Sequence, residues 1–157
     1  YKTGGHVDSS PEVANGAVYF GGRDSNVYAL DATSGEIKWI YATDGPIVSS
    51  PEEENGVVYI GSDDTYLYAI DAVKGTLRWK YKNNVFVDSS PAVEDGVVYI
   101  GSYDTNVYAL DARSGTFLWS YPTGNYIDSS PTAGNGVVYI GSHDSYVYAL
   151  DSFTPSN

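Results

Sequence analysis

Short apolar runs alternate with turn-forming residues along the whole chain. In one such unit, apolar and aromatic residues fill positions 57–60 and 67–70, and an alternating run follows at 76–81. Runs of four to six residues that are rich in β-branched and aromatic side chains are typical of β-strands and are shorter than most helices. The chain is therefore predicted to be all-β.

Turn signals separate these runs at fixed places. Asn-Gly or Asp-Gly occurs at 15–16, 55–56, 95–96 and 135–136. This dipeptide favours a two-residue type I′ turn, because both of its residues tolerate positive φ. Each unit also has a proline ahead of this turn, as at Pro51, and proline is tolerated only in an edge strand or at a strand start. The first strand of each unit is therefore predicted to be an edge strand.

A unit of forty residues is written four times, without insertion or deletion. Asp-Ser-Ser-Pro at 8–11 returns at 88–91 and 128–131, and Val48 replaces the aspartate in the second copy. Four antiparallel strands in about 40 residues is the size of one β-propeller blade. We predict four four-stranded blades in residues 1–151, as approximate repeats 1–40, 41–80, 81–120 and 121–151, and a C-terminal tail at 152–157.

The repeated pattern resembles the PQQ-like, quinoprotein-type β-propeller repeat. The residues that carry the resemblance are Ser-Ser-Pro, Gly-Val-Val-Tyr-Ile-Gly-Ser, Tyr-Ala-Leu-Asp-Ala, Ser-Gly and Trp, and they cover all but the last few positions. The family includes quinoprotein alcohol dehydrogenases and cofactor-free relatives, among them an outer-membrane assembly lipoprotein and sensor domains. The resemblance implies a cell-surface, periplasmic or secreted protein of the cofactor-free branch. WD40 blades have a similar length, but their Gly-His and Trp-Asp signatures are missing.

The sequence leaves the closure of the ring open. Residues 1–3 align with 41–43, the tail of an outer strand, and Pro155 replaces the turn glycine of the other copies. Only three blades are therefore expected to carry their own outer strand, and the N-terminal segment is expected to complete the fourth. The ring is either closed with four blades or half of an eight-bladed ring completed by a second chain, as a homodimer, or by the rest of a longer protein.

Composition and charge exclude several functions. The net charge is −12, whereas binding to nucleic acid needs a basic stripe, so no nucleic-acid partner is expected. No apolar run approaches the roughly 18 residues of a membrane helix, so no membrane span is expected. The dehydrogenases of the resembling family use a vicinal cysteine pair and a calcium-bound quinone. This chain has no cysteine and no carboxylate cluster outside the repeated positions, so PQQ and Ca²⁺ are unsupported and no cofactor is expected.

Candidate binding residues lie where the four copies differ. Twelve of the sixteen tyrosines recur in every copy and are predicted to pack in the core or between blades. Three variable columns contain the other four tyrosines and both histidines, and they lie in loops expected at one rim. Aromatic and polar side chains there suit a protein, a sugar or a planar ligand. The candidates are His6, Phe86 and Tyr126 in the first column, Arg23, Tyr103 and His143 in the second, and Tyr66 and Tyr146 in the third.

The aspartates are weaker candidates. Asp8, Asp88 and Asp128 begin the innermost strands, where a ring of carboxylates could hold a hard cation; the alternative is that they accept backbone amides. The aspartates repeated in all four copies, at 24, 64, 104, 144 and at 31, 71, 111, 151, are predicted to be structural. Ser142, His143 and Asp144 are adjacent and cannot form a triad. The chain is thus predicted to be a non-catalytic scaffold or binding module. The alternatives are a fragment of a PQQ-dependent oxidoreductase and a lectin-like carbohydrate binder.

Overall fold

A computed structural model describes residues 1–152, and within them the chain forms fifteen strands and no helix. The strands form four antiparallel sheets, each with its strands in chain order. The first two blades are β1 (Glu12–Ala14), β2 (Ala17–Gly22), β3 (Asn26–Asp31) and β4 (Ile37–Ala42), then β5 (Glu52–Glu54), β6 (Val57–Gly61), β7 (Tyr66–Asp71) and β8 (Leu77–Lys82). The last two are β9 (Ala92–Glu94), β10 (Val97–Gly101), β11 (Asn106–Asp111) and β12 (Phe117–Pro122), then β13 (Thr132–Gly134), β14 (Val137–Gly141) and β15 (Val147–Asp151).

This arrangement confirms the all-β prediction and the four blades, and within residues 1–152 the last blade has three strands. Of the predicted tail, residues 153–157 lie outside the described residues. Ser152 is buried, and its carbonyl accepts a hydrogen bond from the Tyr99 hydroxyl. In the preceding blades the carbonyls of Ala72 and Ala112 accept the same bond from the hydroxyls of Tyr19 and Tyr59. Ser152 therefore occupies the equivalent position in the last blade.

The hairpin turns follow the dipeptides that predicted them. Asn55 has a φ of 52° and Gly56 a φ of 78°, as a type I′ turn requires, and the other three copies agree. A second set of positive φ values was not predicted. Thr65 has a φ of 77°, and its N–H donates to the Ser62 carbonyl at 3.2 Å. The tight loop between β6 and β7 therefore holds a β-branched residue in a backbone conformation that such residues rarely adopt.

Each blade packs through two different faces, because successive side chains of a strand point to opposite sides of the sheet. We call the side that contacts the next blade the forward face; in the first blade it consists of Ala17, Tyr19, Val27 and Ala29. We call the opposite side the rear face; in the second blade it consists of Val58, Ile60, Tyr68 and Ile70. These faces meet in a buried apolar joint, and the same columns meet at the next two joints.

Hydrogen bonds repeat at every joint. The Trp39 indole donates to the Ala72 carbonyl at 2.9 Å, and the Tyr19 hydroxyl donates to the same oxygen at 3.2 Å. The tryptophan in the outer strand therefore covers the joint. At the inner edge the Ser10 N–H donates to the Ser50 hydroxyl at 2.8 Å. Equivalent bonds join Ser50 to Ser90 and Ser90 to Ser130, so the innermost strands are linked in order around the axis.

The four blades form an open arc. On the last blade, Tyr139 is 45% exposed and Val147 is 77% exposed, whereas the matching tyrosines and aliphatic residues of the other blades are at most 3% exposed. Within residues 1–152 no hydrogen bond links Ser130 back to Ser10. The N-terminal segment does not complete the last blade of its own chain, contrary to one of the two closures considered. Instead Tyr1 lies over the rear face of the first blade, with its ring 5.6 Å from that of Tyr28.

Candidate functional site

The loops that carry the first two variable columns are joined to each other through the backbone. The Arg23 N–H donates to the His6 carbonyl at 2.9 Å, and the His143 N–H donates to the Tyr126 carbonyl at 3.1 Å. The expectation that these loops emerge at the same rim is therefore confirmed. Ile127, next to Tyr126, is fully buried, and its N–H donates to the Ser102 carbonyl at 3.0 Å, so the loop is anchored and Tyr126 is held in place.

Three candidate side chains form one continuous stack, which we call the rim stack. The rings of Tyr103 and Tyr126 are 5.2 Å apart with an interplanar angle of 10°, and the rings of Tyr126 and His143 are 4.0 Å apart at 22°. Tyr103 remains 38% exposed. Stacked rings of this kind give a large, rigid contact surface that has polar atoms at its edge.

Asp8 and Asp128 lie ahead of the innermost strands, which begin at Glu12 and Thr132, and they do not begin these strands as expected. Each pairs with the second variable column of the same blade. His143 Nε2 lies 3.0 Å from both carboxylate oxygens of Asp128, and the Arg23 guanidinium donates to Asp8. The expectation that these aspartates accept backbone amides needs correction, since the partners found here are side chains. Both pairs are solvent-exposed, so they contribute little stability and mainly orient the side chains of the rim.

The second blade departs from this pattern. It has Asp63 in the second variable column and Val48 in place of the aspartate, which removes a like-charge contact within the blade. Asp63 lies instead against Asp88 of the third blade, and burial together with Asp88 raises the pKa of Asp63 to about 6. Asp63 Oδ1 and Asp88 Oδ1 are both shielded from solvent and have no donor among the described residues. A proton shared between the two carboxyl groups supplies the missing donor and removes one of the two negative charges.

Stability should depend on pH through Asp63. Its pKa in the folded chain exceeds the ordinary value of 3.8, so the folded protein holds this proton more tightly than the unfolded chain does. The stabilisation from this group is therefore complete below about pH 4 and is lost as the pH rises through about 6. We expect Asp63→Asn to raise the thermal midpoint relative to wild type at pH 7 but not at pH 4.

Thermal unfolding of both proteins between these pH values tests this expectation. Asp44→Asn makes the same charge change at an exposed position and is the control. An equal difference between wild type and Asp63→Asn at both ends of the range would show that Asp63 holds no extra proton.

The remaining candidates separate into three places. Phe86 is 53% exposed and lines, with Tyr103, an open cavity of about 350 Å³ next to the rim stack. His6 is exposed in the first blade, beside Arg23. The third column has its own contacts. Tyr66 lies beside Tyr68, with the Lys80 ammonium 4.2 Å from its ring centre, and Tyr146 lies beside Tyr148.

The donor groups do not fit a metal or quinone site. Among residues 1–152 no group of three or more His, Asp or Glu side chains could hold a metal ion, so Asp8, Asp88 and Asp128 are not brought together as a cation ring. The vicinal cysteines that the resemblance would require are absent from the sequence. No catalytic step through a quinone or calcium is therefore derived for this chain.

The recurrent aspartates have structural partners. Asp24 accepts from the Tyr28 hydroxyl at 2.6 Å and from the Gly4 N–H at 2.7 Å, and hydrogen bonding lowers its pKa despite the opposing effect of burial. Asp31 accepts from the N–H groups of Thr33 and Ser34, and these bonds hold its pKa down at about 2. The prediction that the fourfold aspartates are structural is confirmed at these positions.

Sequence reasoning missed the opposite rim. Two grooves of about 400 and 510 Å³ lie there between neighbouring blades. The larger is lined partly by the recurrent Tyr59 and Asp111 and partly by Arg78 and Arg113. Searching only the variable rim columns could not find it. The available signal was that Arg78 and Arg113 are themselves variable positions, beside the Asp-to-Gly turn.

The fold and the rim together define a class of protein: a β-propeller array of PQQ-like blades that presents variable loops on an otherwise uniform scaffold. The sequence profile described as "Outer membrane protein assembly factor BamB" matches residues 2–156. The chain belongs to this family of PQQ-like propeller-repeat proteins. The comparison with curated proteins gave no significant match. No helix long and apolar enough to cross a membrane occurs in the part of the chain that the structure describes.

Solved structures share the fold at low sequence identity. BamB from Moraxella catarrhalis is 19% identical with a TM-score of 0.88, over 99% of this chain and 53% of that one. The computationally designed Ika4 protein is 13% identical with a TM-score of 0.87, over 96% and 93%. Quinohemoprotein alcohol dehydrogenase ADHIIG from Pseudomonas putida HK5 is 21% identical with a TM-score of 0.82, over 99% and 34%. The chain thus spans about half the length of the BamB structure.

Proposed function

We propose that this chain is a non-catalytic propeller scaffold that binds another protein through the rim stack and the cavity beside Phe86. The observation that carries the proposal is the contrast between the two kinds of polar residue. The recurrent aspartates are engaged in turns and joints, whereas Tyr103, Tyr126 and His143 differ from their counterparts in other blades and stack at an exposed rim. Exposed aromatic side chains are enriched at protein interfaces.

The family supports the same kind of role and a location for it. The matched family is described as an outer-membrane protein assembly factor, and such a factor acts by contacting other proteins. We accordingly place this chain in the periplasm, at the cell surface or outside the cell. The chain spans about half of the BamB structure, so the role proposed here is that of a four-blade unit and is not carried over from the whole of that protein.

The composition of the rim favours a protein over a quinone. The carboxylates at the rim are already paired with Arg23, with His143 and with each other, so they present no free set of ligands for calcium. The cavity beside the stack is lined by Val85, Phe86 and Tyr103, which suits an apolar side chain of a peptide with polar groups around it.

Loss of the rim stack should abolish binding without affecting the fold. We expect wild-type protein to bind a subset of sequences on a peptide array, and the triple variant Tyr103→Ala, Tyr126→Ala, His143→Ala to lose those signals. Phe117→Ala is the matched control, since Phe117 is an exposed aromatic residue on the outer strand of the third blade. Circular dichroism checks that all three proteins are folded.

The outcomes distinguish the alternatives. Peptide signals that survive in the triple variant, or an array that stays blank with folded wild-type protein, would contradict the proposal. A glycan array screened in parallel tests the alternative that the chain is a lectin-like carbohydrate binder. Sugar signals that depend on Tyr103 and appear without peptide signals would move the function from protein binding to carbohydrate binding.

A further inference from the structure

The two ends of the arc carry the two halves of a joint that is formed three times inside the chain. At the C-terminal end, the forward face of the last blade is uncovered, with Tyr139 45% and Val147 77% exposed. At the N-terminal end, the rear face of the first blade borders an open apolar groove of about 270 Å³, lined by Tyr1, Val7 and Phe20 among others. Val7 is 43% exposed, whereas its counterparts Ile47, Val87 and Ile127 are fully buried.

The faces at the two ends have the residues that already pack against each other elsewhere in the chain. Val137, Tyr139, Val147 and Ala149 repeat the forward-face column that is buried in the third blade as Val97, Tyr99, Val107 and Ala109. The rear face of the first blade, with Val18, Phe20, Tyr28 and Leu30, repeats the column that receives it, with Phe20 in place of isoleucine. A surface that is complementary to its neighbour inside the chain is complementary to the same surface on another copy.

Space at one glycine shows where the missing neighbour belongs. At Gly61 and Gly101, a Cβ atom would lie 2.1 Å from the Val87 carbonyl oxygen and 2.2 Å from Ile127 Cγ2. At Gly141, in the same column, the nearest atom is the Ser129 hydroxyl at 3.5 Å. The unfilled space at Gly141 is the place that Val87 and Ile127 occupy at the other two glycines. The equivalent aliphatic residue at the other end of the arc is the exposed Val7.

We infer that a second copy of this chain covers both ends. The forward face of each last blade packs on the rear face of the other copy's first blade, and the two arcs close an eight-bladed ring. The curvature supports two copies. The chain superposes on 53% of BamB with a TM-score of 0.88, and on 45% of the designed Ika8 protein with a TM-score of 0.82. Two copies therefore match the length of one such complete propeller, and a two-fold axis closes the ring without leaving free ends.

The repeat fixes the register of this joint. The Ser130 N–H donates to the Ser10 hydroxyl of the other copy, continuing the chain of bonds at the inner edge. The Tyr139 hydroxyl donates to the Ala32 carbonyl of the other copy, as Tyr19 does to that of Ala72 within one chain. Thr3 of the other copy donates to the Ser145 carbonyl, as Thr43 does to that of Ser25. The N-terminal segment thereby supplies the outer edge that the last blade lacks in its own chain.

The oligomeric state of the intact chain tests the inference, and it does so without any rim ligand, so it can fail or succeed independently of the proposed function. Native mass spectrometry and light scattering at micromolar concentration should give twice the chain mass of 16.9 kDa. Val147→Glu should raise the dissociation constant at least about 100-fold, because the joint would bury an unpaired charge. Val73→Glu makes the same change at a residue that is 84% exposed and away from both ends, and it should leave the dimer intact.

A second variant keeps the test independent of the added charge. Gly141→Ala adds a single methyl where one chain has room, so the chain should remain folded by circular dichroism while the dimer dissociates. A monomeric wild type would overturn the inference, and so would a Val147→Glu protein that remains dimeric. Species larger than two chains would overturn the closed two-copy ring, because they would show that the arc does not close after eight blades.

Discussion

Replacing Gly61 by alanine is expected to destabilise the protein by about 3 kcal/mol, at the upper end of the cost of overpacking a core. The new Cβ would lie 2.1 Å from the backbone oxygen of Val87 and 2.7 Å from its Cγ1. Val87 is fully buried between the second and third blades, and its N–H donates to the Ser62 carbonyl. The obstacle is therefore anchored backbone, and the joint has to open to admit a methyl group.

The matched control is Gly134→Ala, in an inner strand where a Cβ would meet nothing within 4 Å. Neither glycine has a positive φ, so the two substitutions differ in packing and not in backbone strain. Urea unfolding followed by far-ultraviolet circular dichroism gives the free energy of unfolding of each variant. A Gly61→Ala protein as stable as Gly134→Ala would show that the blades are not in close contact at this point.

Trp39→Ala is expected to be the most destabilising substitution at a joint and to lower the free energy of unfolding by about 4 kcal/mol. The indole is 8% exposed and covers the turn glycine of the next blade: a Cβ at Gly75 would lie only 2.6 Å from its ring. The ring also donates to the Ala72 carbonyl at 2.9 Å. Alanine would lose both the buried aromatic surface and the hydrogen bond.

Trp39→Phe separates the two contributions. Phenylalanine keeps most of the buried ring and loses the donor, and the Ala72 carbonyl still accepts from the Tyr19 hydroxyl. We therefore expect the free energy of unfolding to fall by about 1 kcal/mol, which is close to the net value of one hydrogen bond and includes the small effect of the smaller ring. Equal losses in the two variants, measured by the same urea titrations, would mean that the N–H donor and not ring burial holds the joint.

The fold was predictable from this sequence because every signal is repeated in register. A single Asn-Gly or a single tryptophan is a weak indication, but four turns and three indoles at a constant spacing specify the hairpins and the joints together. The same logic found the rim loops, since Tyr103, Tyr126 and His143 are conspicuous only against the uniform columns around them. That Tyr126 lies between the other two depends on side-chain positions in neighbouring blades, and the spacing does not encode these.

The acidic pair was beyond reach for a related reason. Asp63 and Asp88 belong to different blades and become neighbours only when the joint forms. One clue was present within the second blade, where the exchange of aspartate for Val48 accompanies the appearance of an acid at position 63. The left-handed backbone of Thr65 was missed because threonine does not predict it. The choice between an open arc and a closed ring was left open because the repeated residues of a blade are the same in either arrangement.

The forward face and the rear face belong to the same forty-residue segment. A single ancestral segment could therefore be duplicated in tandem without a new interface having to evolve. Every added copy would arrive already compatible with the copies before and after it. Such a molecule grows by genetic copying alone, and selection is then free to diversify the loops at its edge.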